Sequence, residues 1–138
     1  MNAEDFYREL LERRSDLANA PAEDASRRLL VVGDFLTSLE IDGLSYWLHG
    51  IATHATDPSE WAELVETAEA LDAIGAIRTS RTLRSLIPRI REHRGYEDWQ
   101  QLLKEQGVDL YEDDLEEVEH IWHLAGSLLG KAQQEIAS

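Results

Sequence analysis

The chain has 138 residues, enough for one domain that buries about two-thirds of its unfolded surface without a covalent staple. It has no cysteine, which excludes disulfides, thiolate metal sites and cysteine nucleophiles together, and fits a reducing compartment. Its 28 acidic and 13 basic residues give a net charge of −15, a balance that repels nucleic acid and anionic membranes and attracts cationic partners. Disorder does not follow from that charge, because 43% of the residues are apolar and four are tryptophan.

The N-terminus, Met1-Asn2-Ala3-Glu4-Asp5, has neither the basic nor the apolar region of a secretory signal. The longest stretch without Lys or Arg, Leu29 to Ile77, is interrupted by Asp34, Glu40, Asp42 and Asp57, so no membrane span is expected there. A cytoplasmic protein is the expectation.

Helical periodicity runs through nearly the whole chain and predicts an all-α single domain over 1–138, a compact bundle of about six or seven helices. The first helix is expected from about Ala3 to Ala18, broken by Asn19-Ala20-Pro21. The second spans about Ala22 to Glu40. Its stripe of Leu29, Val32, Phe35, Leu36 and Leu39, widened by Leu30 and Val31, is the mark of a nearly enclosed helix. Asp42-Gly43 is a turn, and Leu44, Trp47, Leu48 and Ile51 begin a third helix.

Asp57-Pro58-Ser59-Glu60 opens the fourth, with Asp57 as cap and Glu60 as the reciprocal carboxylate; it ends near Gly75. The fifth begins near Arg78, and Pro88 is expected to kink or split it. Tyr96 to Gln106 makes a short sixth helix closed by Gly107. The last is expected from about Glu112 to Ile136, with Val118, Ile121, Trp122, Ala125, Leu128, Leu129, Ala132 and Ile136 at strict three-four spacing.

Charge is unevenly spread along these elements. Residues 29–77 carry nine acids and no base, residues 78–94 one acid and six arginines, and residues 95–138 eleven acids and two lysines. In the fourth helix Glu60, Glu63, Glu66 and Glu69 recur every third residue. At about 100° per residue they sweep the face opposite Trp61, Leu64 and Val65.

A solvated polar face is the plain account. Against it, the helix has no Lys or Arg, so it forgoes the ~0.3–0.5 kcal/mol that each opposite pair one turn apart supplies. Glu112, Asp113, Asp114, Glu116, Glu117 and Glu119 form a second cluster. Acids suit a helix N-terminus, which accounts for the first three but not for Glu117 and Glu119. These ten residues are the expected partner-binding surface. Arg78, Arg81, Arg84, Arg89, Arg91 and Arg94 are expected to neutralise neighbouring acids, within the chain or across a dimer, in preference to holding an anion.

No phosphate loop, dinucleotide fingerprint, nucleophile elbow or metalloprotease helix occurs. Glu117-x-x-His120 has the spacing of carboxylate-bridged metal bundles, with Glu116, Glu119 and His123 nearby. Val118, Ile121, Trp122 and Ala125 define the inward face, however, so His120 and His123 are expected to point outward. Acid–base catalysis needs a desolvated carboxylate. Glu40 and Asp42, beside Tyr46 and Trp47, are the best candidates, though ordering the turn is their simpler role. No catalytic residue, metal or cofactor is expected.

Three stretches carry a resemblance: Gly33-Asp34-Phe35, Leu39 to Trp47, and Ala70-Leu71-Asp72-Ala73-Ile74-Gly75-Ala76. Over about residues 28–90 the chain resembles the DNA-mimic protein nineteen family, with Glu40, Asp42, Gly43, Tyr46, Trp47, Leu71, Ile74 and Gly75 on the motif. The family's Asn-Gly-Gly turn is here Ile41-Asp42-Gly43. The resemblance implies an all-helical fold, a homodimer, and carboxylates that stand in for DNA phosphates on the binding face of a basic DNA-binding protein such as a transcription regulator. Two other functions stay open: an immunity-type inhibitor of a basic nuclease toxin, and a small metal-binding or enzymatic bundle.

Overall fold

A computed structural model describes residues 1–54, 62–92 and 114–137. The order of elements follows from how each helix end is stopped. Asn2 caps α1 (Ala3–Leu10), its side chain accepting from the Asp5 amide at 2.8 Å. The helical run then tightens into a single 3₁₀ turn at Leu11–Arg13 before α2 (Arg14–Leu17), so the first expected helix is present in two pieces. The long α3 (Ala25–Ile41) ends on Gly43, whose φ of 86° lets its amide return to the carbonyls of Ser38 and Leu39. The next helix, α4 (Leu44–His54), starts at once.

A second left-handed glycine ends α5 (Ala62–Ala73). Gly75, at φ 87°, donates to the Asp72 carbonyl while the Ala76 amide returns to that of Leu71. The chain thereby reverses into α6 (Ile77–Glu92), which packs along α5 in the most extensive helix pairing of the described residues. The last region is α7 (Val118–Ala125), a 3₁₀ turn at Gly126–Leu128, and α8 (Leu129–Ala137).

The fold is an all-α bundle built around α3. That helix packs against α1, α4, α5, α7 and α8, and its Leu29, Val32, Phe35 and Leu36 have no exposed surface. Trp47 of α4 sets its ring edge-on to Phe35 at 4.7 Å. Leu64, Ala68 and Leu71 of α5 and Ile121, Ala125 and Ala132 of α7 and α8 complete the same core. No helix among the described residues is long and apolar enough to cross a membrane.

Three expectations are corrected. Of the kink or split expected at Pro88, the split is absent: α6 is continuous from Ile77 to Glu92. Pro88 is exposed, so water can take over the carbonyl that its missing donor leaves free. The last helix begins at Val118, not near Glu112, because Asp114, Leu115 and Glu116 bond to α6 instead of winding into the helix. The second helix begins at Ala25, after the turn that follows Pro21. The expected capping box at Asp57–Glu60 and the sixth helix, Tyr96–Gln106, lie outside the described residues.

Gly33 sits where α1 crosses α3, and the Tyr7 ring lies directly on it; a Cβ there would overlap the ring. The ring cannot retreat easily, since it also packs on Trp122 at 5.6 Å and its hydroxyl donates to Asp34 at 2.7 Å. Gly33→Ala is therefore expected to destabilise the protein by about 1–3 kcal/mol, as overpacking does. Urea denaturation should show this as a lower midpoint with an unchanged slope. A cost below about 0.5 kcal/mol would mean that the crossing is loosely packed.

Candidate acidic interface

The carboxylates divide into those the fold consumes and those it leaves outward. Asp34, on the flank of the enclosed α3, accepts both guanidinium nitrogens of Arg14, at 2.6 and 2.7 Å, as well as the Tyr7 hydroxyl. Burial, together with the bond and charge of Asp34, pushes the Tyr7 hydroxyl up to about 12. The Asp34 hydrogen bond, against the burial, raises the Arg14 guanidinium further above its already high value.

Glu66 is consumed too. Its two oxygens accept from Arg27 at 2.6 and 3.0 Å, and the same guanidinium donates to the Ala18 and Ala20 carbonyls. Arg27 thus ties α5 and the α2–α3 loop to α3. Both members of the pair are mostly shielded, with side chains 24% and 22% exposed, so the pair is worth more than the ~0.2–1 kcal/mol of a surface pair. Asp72 pairs with Arg84 across the α5–α6 hairpin at 2.5 Å.

Two glutamates cap helices that are remote in sequence. The α3 N-terminus has no side-chain cap from Asp24; the Glu135 carboxylate of α8 accepts its Ala25 and Ser26 amides at 3.1 and 2.8 Å instead. At the α6 N-terminus Glu116 accepts the Arg78 and Thr79 amides at 2.9 and 2.6 Å, and the Thr79 hydroxyl. The Arg78 guanidinium in turn donates to the Asp114 and Leu115 carbonyls. Partial burial pushes each carboxyl up, but the amide and hydroxyl donors outweigh it and hold both below the usual glutamate value. Four orphan amides are thereby satisfied by negative charge at the positive ends of two helices.

Of the ten residues expected to form a partner surface, Glu66 and Glu116 therefore face inward to structural partners. Glu60, Glu112 and Asp113 lie outside the described residues. Glu63, Glu69, Asp114, Glu117 and Glu119 are exposed. Glu69 borders a shallow hollow with Glu23 and Arg28. Glu117 and Glu119 flank the start of α7, where His120 and His123 are also exposed. Among the described residues no three His, Asp or Glu side chains are grouped to hold a metal ion.

The motif residues divide in the same way. Trp47, Leu71 and Ile74 are core, and Gly43 and Gly75 are helix stops. Glu40, Asp42 and Tyr46 are exposed. Sequence reasoning missed Asp34, Glu135 and Arg27. Asp34 had a signal, a lone carboxylate within the apolar run from Leu29 to Leu36, whereas Glu135 had none.

Comparison with protein-family models, curated proteins and solved structures found no match to this chain.

Because their pKa values are lowered on folding, Glu116 and Glu135 stabilise the protein above the unfolded glutamate value of 4.5, and that contribution is lost as the pH falls through their folded values. Glu116→Gln and Glu135→Gln should each cost about 1–2 kcal/mol at pH 7. The gap from the parent protein should close towards pH 3, where the parent's own carboxyls are protonated. Thermal melts across that range would read it; a gap independent of pH would contradict the capping role.

Proposed function

We propose that this chain is a binding protein, not a catalyst, and that its carboxylate surface occupies the DNA-binding face of a basic protein in the manner of a DNA mimic. The supporting observation is where the charge goes once the internal partners are counted. Each ion pair removes one charge of each sign, so pairing leaves the excess of 15 negative charges untouched. Arg14, Arg27 and Arg84 are turned to Asp34, Glu66 and Asp72, while Glu63, Glu69, Asp114, Glu117 and Glu119 are exposed. Three of the arginines are thus turned to carboxylates of the fold, and these five other acids stand at the surface.

Mimicry needs such carboxylates on a stiff support. Duplex DNA offers one charge per ~1.7 Å of axis. Two glutamates three residues apart on a helix rise by only about 4.5 Å, so a pair of acidic elements approximates a phosphate rail. Here the support is a helical core that fixes α5 and α7 against α3. A field of this sign speeds encounter with a basic surface and disfavours acidic ones. The resemblance to the DNA-mimic protein nineteen family supports the same reading, and the homodimer it implies belongs to the proposal.

The test begins with partners captured from the native host and identified, then follows displacement of labelled duplex DNA from the purified partner. The parent chain should compete, and Glu69→Lys combined with Glu117→Lys should weaken competition at least tenfold without lowering the melting temperature. Unchanged competition by that variant would refute the proposal. A captured nuclease toxin in place of a regulator would assign the immunity-type role instead.

Salt offers a further check. Fixed carboxylates lack the condensed counterions of DNA, so the affinity of this chain for the partner should fall less steeply with salt than that of the displaced duplex. Equal or steeper slopes would count against mimicry.

A further inference from the structure

Asp42-Gly43 is the one Asp-Gly pair in the chain, and it forms the junction where α3 ends and α4 begins. Such a pair carries its own chemistry. The glycine nitrogen can attack the carbon of the aspartate carboxyl, because glycine has no Cβ to obstruct the approach. The amide proton and the carboxyl hydroxyl leave as water, and a cyclic imide remains. Water then adds to either of the ring carbonyls. One addition restores the aspartate. The other leaves the main chain running through the aspartate side chain, with a carboxylate on the former backbone carbon. One water leaves and one returns, so the net change is an isomerisation in which nothing is oxidised or reduced.

Asp42 is exposed, so water and protons reach its carboxyl. The fold controls the nitrogen instead. Gly43 lies at φ 86°, and its N–H donates to the Ser38 carbonyl at 3.1 Å and to the Leu39 carbonyl at 3.2 Å. The Asp42 amide donates to Ser38 as well, at 2.9 Å, and the Asp42 backbone sits at φ −124° and ψ −13°. In the imide the Gly43 nitrogen shares a plane with Cα, Cβ and Cγ of Asp42, which requires a large rotation about that ψ. The rotation would pull the Gly43 N–H off both carbonyls. The α4 side opposes it too: Leu44 and Leu48 have no exposed surface, and Trp47 is held edge-on to Phe35 at 4.7 Å.

We propose that Asp42-Gly43 is a site of spontaneous aspartate isomerisation that the ending of α3 keeps closed, and that reacts when this ending opens. The reaction takes water as its only co-reactant. Local opening of a helix end is among the less costly motions of a folded chain, so the site is slowed and not abolished. The product has one more carbon in its main chain at this junction. The Gly43 amide then no longer returns to Ser38 and Leu39 in the same register, and α3 loses its stop. Net charge is the same before and after, so the site bears on the α3–α4 junction and is independent of the binding function proposed above.

The full chain is incubated in heavy-oxygen water at neutral pH, once folded and once in denaturing urea. It is then digested in ordinary water, and the peptide containing Asp42 is weighed. Each passage through the imide leaves one heavy oxygen on that residue, and chromatography separates the isomerised peptide from its parent. Incorporation at Asp42 should be at least about tenfold slower in the folded chain, which corresponds to an opening that costs about 1.4 kcal/mol or more. Asp42→Glu, whose longer side chain closes the ring poorly, should take up none at that position in either state.

Absence of incorporation at Asp42 in the unfolded chain overturns the site. Equal rates in the two states overturn its closure by the α3 ending. Uptake by Asp42→Glu equal to that of the parent would mean that the oxygen enters by another route, and overturns the imide. Each of these results leaves the acidic-surface function standing.

Discussion

The enclosure of α3 is the constraint on which the rest of this molecule depends. Helices from both ends of the chain pack against it, and four of its apolar side chains, Leu29, Val32, Phe35 and Leu36, have no exposed surface. A helix buried that deeply cannot leave its polar groups to water, and each must find a partner in the chain. Its first amides are taken by Glu135, which brings α8 across the N-terminus. Its half-buried carboxylate, Asp34, is taken by Tyr7 and Arg14, which fixes α1 and α2. Its Arg27 reaches Glu66, which fixes α5. The hydrophobic contacts supply the driving force and these polar contacts supply the register.

This division explains how so acidic a chain folds. Self-repulsion at net −15 opposes a compact state. The fold answers it with short-range terms: two carboxylates are neutralised by helix N-termini in place of cations, and Arg14, Arg27 and Arg78 take bidentate or bridging positions where one cation satisfies more than one acceptor. Using helix amides as counter-charges spares the few cations. It also means that the surplus of carboxylates is left outward by the stabilising arrangement itself, on Glu63, Glu69, Asp114, Glu117 and Glu119. Structure and proposed recognition therefore draw on one supply of acids, some of them half-buried against a helix end or an arginine and others at the surface.

The legibility of these features varied with their range along the chain. The α3 stripe and the three-four spacing of Ile121, Ala125, Leu128 and Ala132 were readable because one helix face repeats every turn whatever packs on it. Gly43 and Gly75 were readable as stops, since few other residues accept the left-handed backbone that a Schellman-type ending needs. The glutamates of α5 looked equivalent in sequence, yet Glu66 points to Arg27 across 39 residues while Glu69 is exposed. No local pattern distinguishes them. Five neighbouring acids place Glu116 in an acidic helix by sequence alone, whereas its bonds to Arg78 and Thr79 hold it outside that helix.

The sequence by itself determined that this chain is helical, strongly anionic and built on one enclosed helix, because periodicity, glycine stops and net charge are sums over near neighbours. Only the tertiary structure decided which carboxylates are spent on amides and arginines and which lie at the surface. Those outcomes depend on which helix ends and guanidinium groups the packing brings within about 3 Å of a given oxygen, the reach of a hydrogen bond. Distances of that kind are fixed by the core and are invisible along the chain.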